Sequence, residues 1–269
     1  MDRMNTTVGI IGAGSMGGSI ARGLVASGAL LPSDLWVCDP EPKCIEPLAQ
    51  LGVNVAPNAD GLVQAQTEVV IIAVKPQILA DVVRPLSEGL KDRLVVSIAA
   101  GVPLQTLESL LPQSYVVRVM PNLPIQVLSG ATAVTCGTRA SAEQAELVRQ
   151  LFSALGSAQI MREDQLDAEG AVVSCGPAYI ALFADALTRA GVRAGLPAAA
   201  CREMVLATMR GVATSLLQSG EHPRAYMERV TSPGGTTAAG LYAMEPLVQE
   251  AAYDAVDEAL MRTAELANG

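Results

Sequence analysis

The segment Gly12-Ala13-Gly14-Ser15-Met16-Gly17 fits the pattern G-x-G-x-x-G, and its setting constrains the fold more than any other stretch of the chain. The β-branched run Val8 to Ile11 leads into it, and an amphipathic stretch from Met16 to Ser27 leads out. In such a setting the first glycine permits a tight turn, the second lets backbone approach a pyrophosphate, and the third allows close packing of helix on sheet. Phosphates would then face the unsatisfied amides of a helix N-terminus. A Gly-rich match alone also fits a plain strand-turn-helix. Here strand, helix and an acidic residue after the second strand agree on a dinucleotide site. The acidic residue is Asp39, directly after Leu35-Trp36-Val37-Cys38. Its carboxylate suits an adenosine ribose 2'-hydroxyl, whereas a 2'-phosphate would meet like charge with no arginine between Asp39 and Lys43. NAD(H) is the expected cofactor, with NADP(H) still accessible if Lys43 swings in. Asp39 has a second reading, as a cap on the turn into Pro40.

Five further β-branched runs follow the first one: Leu35 to Cys38, Val69 to Val74, Leu94 to Ile98, Tyr115 to Val119 and Ala131 to Thr135. Helical patterns such as Met16 to Ser27, Ile78 to Leu90 and Ala142 to Leu155 separate most of them, which is the signature of βαβ units and a mainly parallel sheet. After Glu163 no such run recurs, and Pro177 to Ala194, Pro197 to Ser219 and Pro246 to Ala267 read as helices. The expected fold class is an α/β Rossmann-type N-terminal domain, residues 1–163, followed by an all-α dimerisation and substrate domain, residues 164–269. Ala199 to Leu217 is apolar on more than one helical face and must be buried on several sides. A helical domain of about one hundred residues has little interior for it, so the burial is expected against a second subunit.

Composition removes whole classes of function. With 18 Lys and Arg against 27 Asp and Glu, the formal charge of the 269 residues is -9, the wrong sign for tracking nucleic-acid phosphates. At 50% hydrophobic and 17% charged residues the chain is not disordered. The longest uncharged run, Val119 to Thr138, carries two prolines, Asn122 and Gln126 and cannot be a spanning helix, so no membrane partner is expected. The N-terminus has no apolar signal core. Five cysteines without CxxC or Cys/His ligand spacing read as reduced thiols in a cytoplasmic protein that binds no metal.

Six segments make a family resemblance specific. Gly12 to Gly17, Ala73-Val74-Lys75-Pro76-Gln77, Ser97 to Val102, Met120-Pro121-Asn122, Gly176-Pro177-Ala178-Tyr179 and Ser232-Pro233-Gly234-Gly235-Thr236-Thr237 occur in the order seen in pyrroline-5-carboxylate reductases. The chain resembles that family from about residue 8 to 265. The resemblance implies NAD(P)H-dependent reduction of 1-pyrroline-5-carboxylate to L-proline, the last step of proline biosynthesis. It also implies a homodimer with interlocking helical domains, assembled further into a decamer in some members. The substrate set it implies is Val230, Ser232, Gly234, Gly235, Thr236 and Thr237. Thr237 is the catalytic member, its hydroxyl on the ring nitrogen of the imine. Gly12, Ala13, Gly14, Ser15, Met16, Gly17, Asp39, Asn58, Ala73, Val74, Lys75, Pro76, Ala99, Ala100, Gly101 and Asn122 form the implied cofactor set. Lys75 is read equally as a solvated lysine, whereas Asn58, as an isolated loop residue after Pro57, is more often a turn former than a ribose contact. The active site is expected between the domains, with Ser232 to Thr237 facing the nicotinamide.

The chain departs from the family's Ser-Gly-Ser-Gly-Pro-Ala-Tyr at Val173-Ser174-Cys175, has Leu123 where threonine is usual, and has Ala207-Thr208 where many members have Gln-Thr. These changes keep two alternatives in view: a reductase of a related cyclic imino acid such as a piperideine carboxylate, and a non-catalytic dinucleotide-binding paralogue. A β-hydroxyacid dehydrogenase-like enzyme is disfavoured, because its general base is a lysine of the helical domain and Lys43, Lys75 and Lys91 all lie before residue 163. His222, the single histidine, is expected in a surface loop.

Overall fold

A computed structural model describes residues 3–268. Its strands are β1 (Val8–Ile11), β2 (Leu35–Cys38), β3 (Asn54–Val55), β4 (Val69–Ile72), β5 (Leu94–Ser97), β6 (Tyr115–Pro121), β7 (Gly130–Cys136) and β8 (Gly156–Ile160). They form one sheet in the order β3-β2-β1-β4-β5-β6-β7-β8. All neighbours run parallel except β6 and β7. The order reverses between β1 and β4, which is where open α/β sheets bind ligands, beyond the carboxyl ends of the strands. Both faces are covered. Val8, Ile10, Val69, Ile71 and Val96 join Ile20, Leu24 and Phe152 in one core layer. Ile11, Val70, Ile72 and Val95 join Leu62, Leu79 and Leu107 in the other. Strands buried on both faces are near-continuous apolar runs, which is why their β-branched stretches were legible.

The helices of this part are α1 (Ser15–Ala26), α2 (Pro42–Gln50), α3 (Ala59–Gln64), α4 (Pro76–Val83), α5 (Leu104–Leu110), α6 (Ala142–Ser153) and α7 (Leu166–Glu169), with a π-helical turn at Gly170–Ser174. The remaining helices are α8 (Gly176–Arg193), α9 (Ala198–Ser219), α10 (Pro223–Arg229) and α11 (Thr236–Asn268). Contacts divide the chain at Ser174/Cys175, residues 175–261 forming the second compact unit. The sequence division at 163/164 marks where the β-branched runs stop.

Two local expectations need correction. The helix expected over Ile78 to Leu90 starts at Pro76, which supplies a preset φ at its first position, and gives way after Val83 to a 3-10 turn at Arg84–Leu86. The last helix was expected to begin at Pro246, but α11 already starts at Thr236 and runs through that proline. A proline inside a helix forfeits one hydrogen bond, and ten preceding residues rich in Ala, Leu and Met carry the helix past it. His222 lies, as expected, in the short loop between α9 and α10, where it is the N-cap of α10, its Nδ1 accepting from the Arg224 amide at 3.2 Å. Its exposure agrees with the surface reading. The run Val119 to Thr138 is strand and 3-10 turn, as its prolines require. One helical stretch, Glu163–Arg193, is nevertheless long and apolar enough to cross a membrane by length and composition.

The second unit has almost no interior. Among its described residues Ala184 and Cys201 are the buried apolar side chains, and they mark where α8 and α9 meet: a Cβ on Gly191 would collide with Cys201 Sγ. Ile180, Leu182, Met204, Leu206, Leu217 and Tyr242 lie exposed, Leu217 at 85% and Tyr242 at 88%. Each large apolar side chain left in water forgoes about 1.5–3 kcal/mol of burial, so a surface that covers this unit would stabilise it substantially. Thermal denaturation should therefore depend on concentration: Tm is expected to rise measurably across a hundredfold increase in protein concentration, as for an assembly whose subunits complete one another's core.

Candidate functional site

Gly12 has φ +97°, a left-handed conformation, and a Cβ there would lie 2.8 Å from the Ala73 carbonyl oxygen. Gly17 has no room either, because its Cβ would collide with Gly12 O and sit 2.8 Å from Ala73 Cβ. These two glycines let the first turn of α1 rest on the ends of β1 and β4. Gly14 differs: a Cβ there meets no protein atom within 4 Å. The second glycine thus faces open space, as backbone that a ligand approaches must. No side chain caps α1 at Gly14 and its first turn holds no acidic residue, so amide donors remain for an anion. The residues fit a dinucleotide pyrophosphate.

Asp39 ties this turn to β2. Its Oδ2 accepts from the Ala13 amide at 2.7 Å and its Oδ1 from the Glu41 amide at 2.9 Å, so it caps the turn as one of its readings held. It also stands at the carboxyl end of β2 beside the glycine turn, where a ribose would lie. Lys43 does not offset it: its Nζ pairs with Glu41 Oε2 at 3.2 Å. Cys38, before Asp39, is buried, which pushes its thiol up to about 11.

The other cofactor candidates occupy the ends of neighbouring elements. Ala73 and Val74 follow β4, while Lys75 is the exposed N-cap of α4 with Pro76 at the first helical position. Asn58 is the N-cap of α3, its Oδ1 accepting from the Gly61 amide at 2.8 Å, which matches the turn-former reading. Ala99, Ala100 and Gly101 follow β5, and Gly101 has φ +73°. Asn122 closes β6. Its Oδ1 accepts from the Ala131 amide at 2.9 Å and its Nδ2 donates to Val173 O at 3.2 Å, so its side chain fastens β6, β7 and the π-turn. That stapling role had no sequence signal, because its partners lie 9 and 51 residues away.

In the helical unit Ser232 to Thr237 forms a turn at the head of α11. The Gly235 amide donates to Ser232 O at 3.0 Å, Pro233 occupies the second position and Gly234 the third with φ +70°, a type II arrangement. A Cβ on Gly235 would collide with Ser232 Oγ. Thr236 and Thr237 open the helix with exposed side chains and no acidic neighbour in its first turn. Val230 is half-exposed at the end of α10. The turn presents hydroxyls and helix N-terminal amides together, a combination suited to a carboxylate.

A family model described as pyrroline-5-carboxylate reductase dimerisation matches residues 163–266, and one described as NADP oxidoreductase coenzyme F420-dependent matches residues 7–101. The pyrroline-5-carboxylate reductase of Synechocystis is 36% identical over 265 residues, covering 98% of this chain and 99% of that protein. The chain belongs to the pyrroline-5-carboxylate reductases. The solved member from Coxiella burnetii superposes with a TM-score of 0.92 at 30% identity, covering 98% of this chain and 99% of that one. The member from Plasmodium falciparum, solved with NADP bound, gives 0.85 at 26% identity over 99% of this chain and 100% of that one. The expected fold class and family are thereby established, as are nicotinamide dinucleotide binding and a helical dimerisation domain.

One group in this reductase was not anticipated. Glu169, at the end of α7, is buried, and burial pushes its carboxyl up to about 7 while a hydrogen bond from Ser174 pulls it down. The sequence does not single it out: Glu169 is the last of four acids in Glu163-Asp164-Gln165-Leu166-Asp167-Ala168-Glu169, and such acidic runs are commonly solvated.

The contrast between the glycines is directly testable. Gly14→Ala should leave Tm within a few degrees, since the new methyl group meets no protein atom, yet raise KM for the dinucleotide tenfold or more. Gly17→Ala should lower Tm markedly, because its methyl group meets backbone. Thermal melts alongside cofactor titrations check both.

Proposed function

We propose that this chain reduces 1-pyrroline-5-carboxylate to L-proline, with NADH preferred over NADPH. The observation that carries the reading is the Ser232–Thr237 turn, intact in sequence and formed at the head of α11 in a chain whose other end holds an uncapped glycine turn. In this reading the amides from Gly14 to Gly17 hold the pyrophosphate, Ala13 lines it with its own amide bound to Asp39, and Asp39 accepts from the adenosine ribose. Asn58, Ala73 to Pro76, Ala99 to Gly101 and Asn122 line the cofactor's course towards the nicotinamide. When bound, the dihydronicotinamide supplies the hydride.

The helical domain holds the imino acid. The amides and hydroxyls of Ser232, Gly234, Gly235 and Thr236 bind its carboxylate, Val230 packs beside it, and the Thr237 hydroxyl hydrogen-bonds the ring nitrogen. A cyclic iminium carbon is already electrophilic, so these residues need only fix its position, exclude water and orient one proton. No metal or covalent nucleophile enters. NADH is favoured because a 2'-phosphate would meet the carboxylates of Asp39 and Glu41 while Lys43 is held by Glu41. The assembly is a homodimer in which the exposed apolar faces of α8, α9 and α11 are covered by the second copy. Five free thiols fit a reducing compartment such as the cytoplasm.

The function is tested by following NADH and NADPH oxidation with the five-membered and the six-membered cyclic imine in parallel. Rapid turnover of the five-membered ring with NADH is expected. Turnover confined to the six-membered ring would replace the substrate assignment and draw attention to Val173 and Cys175, and binding without turnover would support a non-catalytic paralogue. Thr237→Ala should lower kcat at least tenfold with NADH binding and Tm unchanged. Asp39→Ser should shift the ratio of kcat/KM for NADPH over NADH upward by at least tenfold.

A further inference from the structure

The buried acid at the end of α7 has no part in the chemistry above. Glu169 is 7% exposed; its Oε2 accepts from Ser174 Oγ at 3.3 Å, and its Oε1 is buried with no partner. Glu169 and Ser174 are five residues apart, which in an α-helix would set them about 140° apart around the axis. Across a π-turn, with its i→i+5 repeat, they share a face. The contact therefore depends on the wound π-turn at Gly170–Ser174.

The same turn is fastened from its other side. Asn122 donates to Val173 O at 3.2 Å while accepting from the Ala131 amide, and Gly170 faces β6, where an added Cβ would lie 3.5 Å from Met120 Sδ. Glu169 and Ser174 thus close a turn that is stapled to the carboxyl end of β6. Ser174 stands where the resemblance reads glycine, so the pair belongs to this chain's departures from the family pattern.

We propose that Glu169 in its uncharged form is a positioning residue for the cofactor: with Ser174 it keeps the π-turn wound and so holds Val173 against Asn122 at the end of β6. The proposal rests on the reading that this edge of the sheet takes the dinucleotide. An uncharged carboxyl tolerates the apolar surroundings. A carboxylate with one oxygen unpartnered does not, and unwinding the turn to admit water relieves it. The exchange falls in the neutral range, because burial raises the group from 4.5 to about 7 and Ser174 opposes that rise. Of the neighbouring charges, Arg118 on β6 pairs through Nη1 with Glu163 while its Nε is buried without a partner, Asp164 pairs with Arg162, and Asp167 and Cys175 are exposed. With its folded pKa raised, Glu169 contributes stability that is complete below 4.5 and lost as pH rises through about 7.

The test is NADH affinity by fluorescence titration from pH 6 to 8.5, with Tm at each pH, for the full chain, Glu169→Gln and Ser174→Ala. The wild type is expected to bind NADH at least threefold more weakly at pH 8.5 than at pH 6. Glu169→Gln should hold its pH 6 affinity throughout and gain Tm over the wild type as pH rises. Ser174→Ala, lacking the hydrogen bond that closes the turn, should bind NADH more weakly than the wild type already at pH 6. The same break in wild type and Glu169→Gln overturns the positioning role alone. Absence of NADH binding in all three proteins at every pH overturns the cofactor reading as well, and the Tm difference between wild type and Glu169→Gln still reports the acid separately.

Discussion

The close approach of Gly12, Gly17 and Ala73 is the constraint on which the cofactor edge depends. Side chains at either glycine would push α1 off the ends of β1 and β4. Without them the helix starts where the strand order reverses, and its first amides point into the space that Gly14 leaves open. Each glycine costs about 0.5–1 kcal/mol of backbone entropy, which the packing of Ile20 and Leu24 against Val8 and Ile10 readily offsets. Asp39 completes the arrangement by bonding the Ala13 amide across 26 residues of sequence. One carboxylate thereby shapes the turn and sets the charge that a cofactor's ribose encounters.

The two units obey opposite rules. The sheet unit buries its apolar residues in two layers and is complete by itself. The helical unit keeps most of its apolar residues at the surface, so a covering surface adds to its stability. Glu163–Arg193, long and apolar enough to cross a membrane and only 11% buried over its most apolar stretch, expresses the same exposure.

Legibility in the sequence followed the range of the interactions. The glycine turn, Asp39 and six strands were readable because each is a local pattern with a local cause. Two strands were not. β3 has two residues, too few to show alternation, and β8, Gly-Ser-Ala-Gln-Ile, lacks a β-branched run and forms only because β7 offers it an edge. Within the site, the Ser232–Thr237 turn was legible as a motif, and Gly234 and Gly235 now have steric reasons to be glycine. The work of Asn122 and Glu169 was hidden. Asn122 acts through partners distant in sequence, and Glu169 through a π-turn whose i→i+5 face no 3.6-residue periodicity reveals.

The central claim is that a hydride passes from a dihydronicotinamide to the imine carbon of a five-membered ring. Mass analysis of proline formed from 1-pyrroline-5-carboxylate and NADH dideuterated at C4 of the nicotinamide tests it most directly. The account predicts proline heavier by one deuterium, formed in step with NADH oxidation. Unlabelled proline, or NADH oxidation without proline, would contradict it.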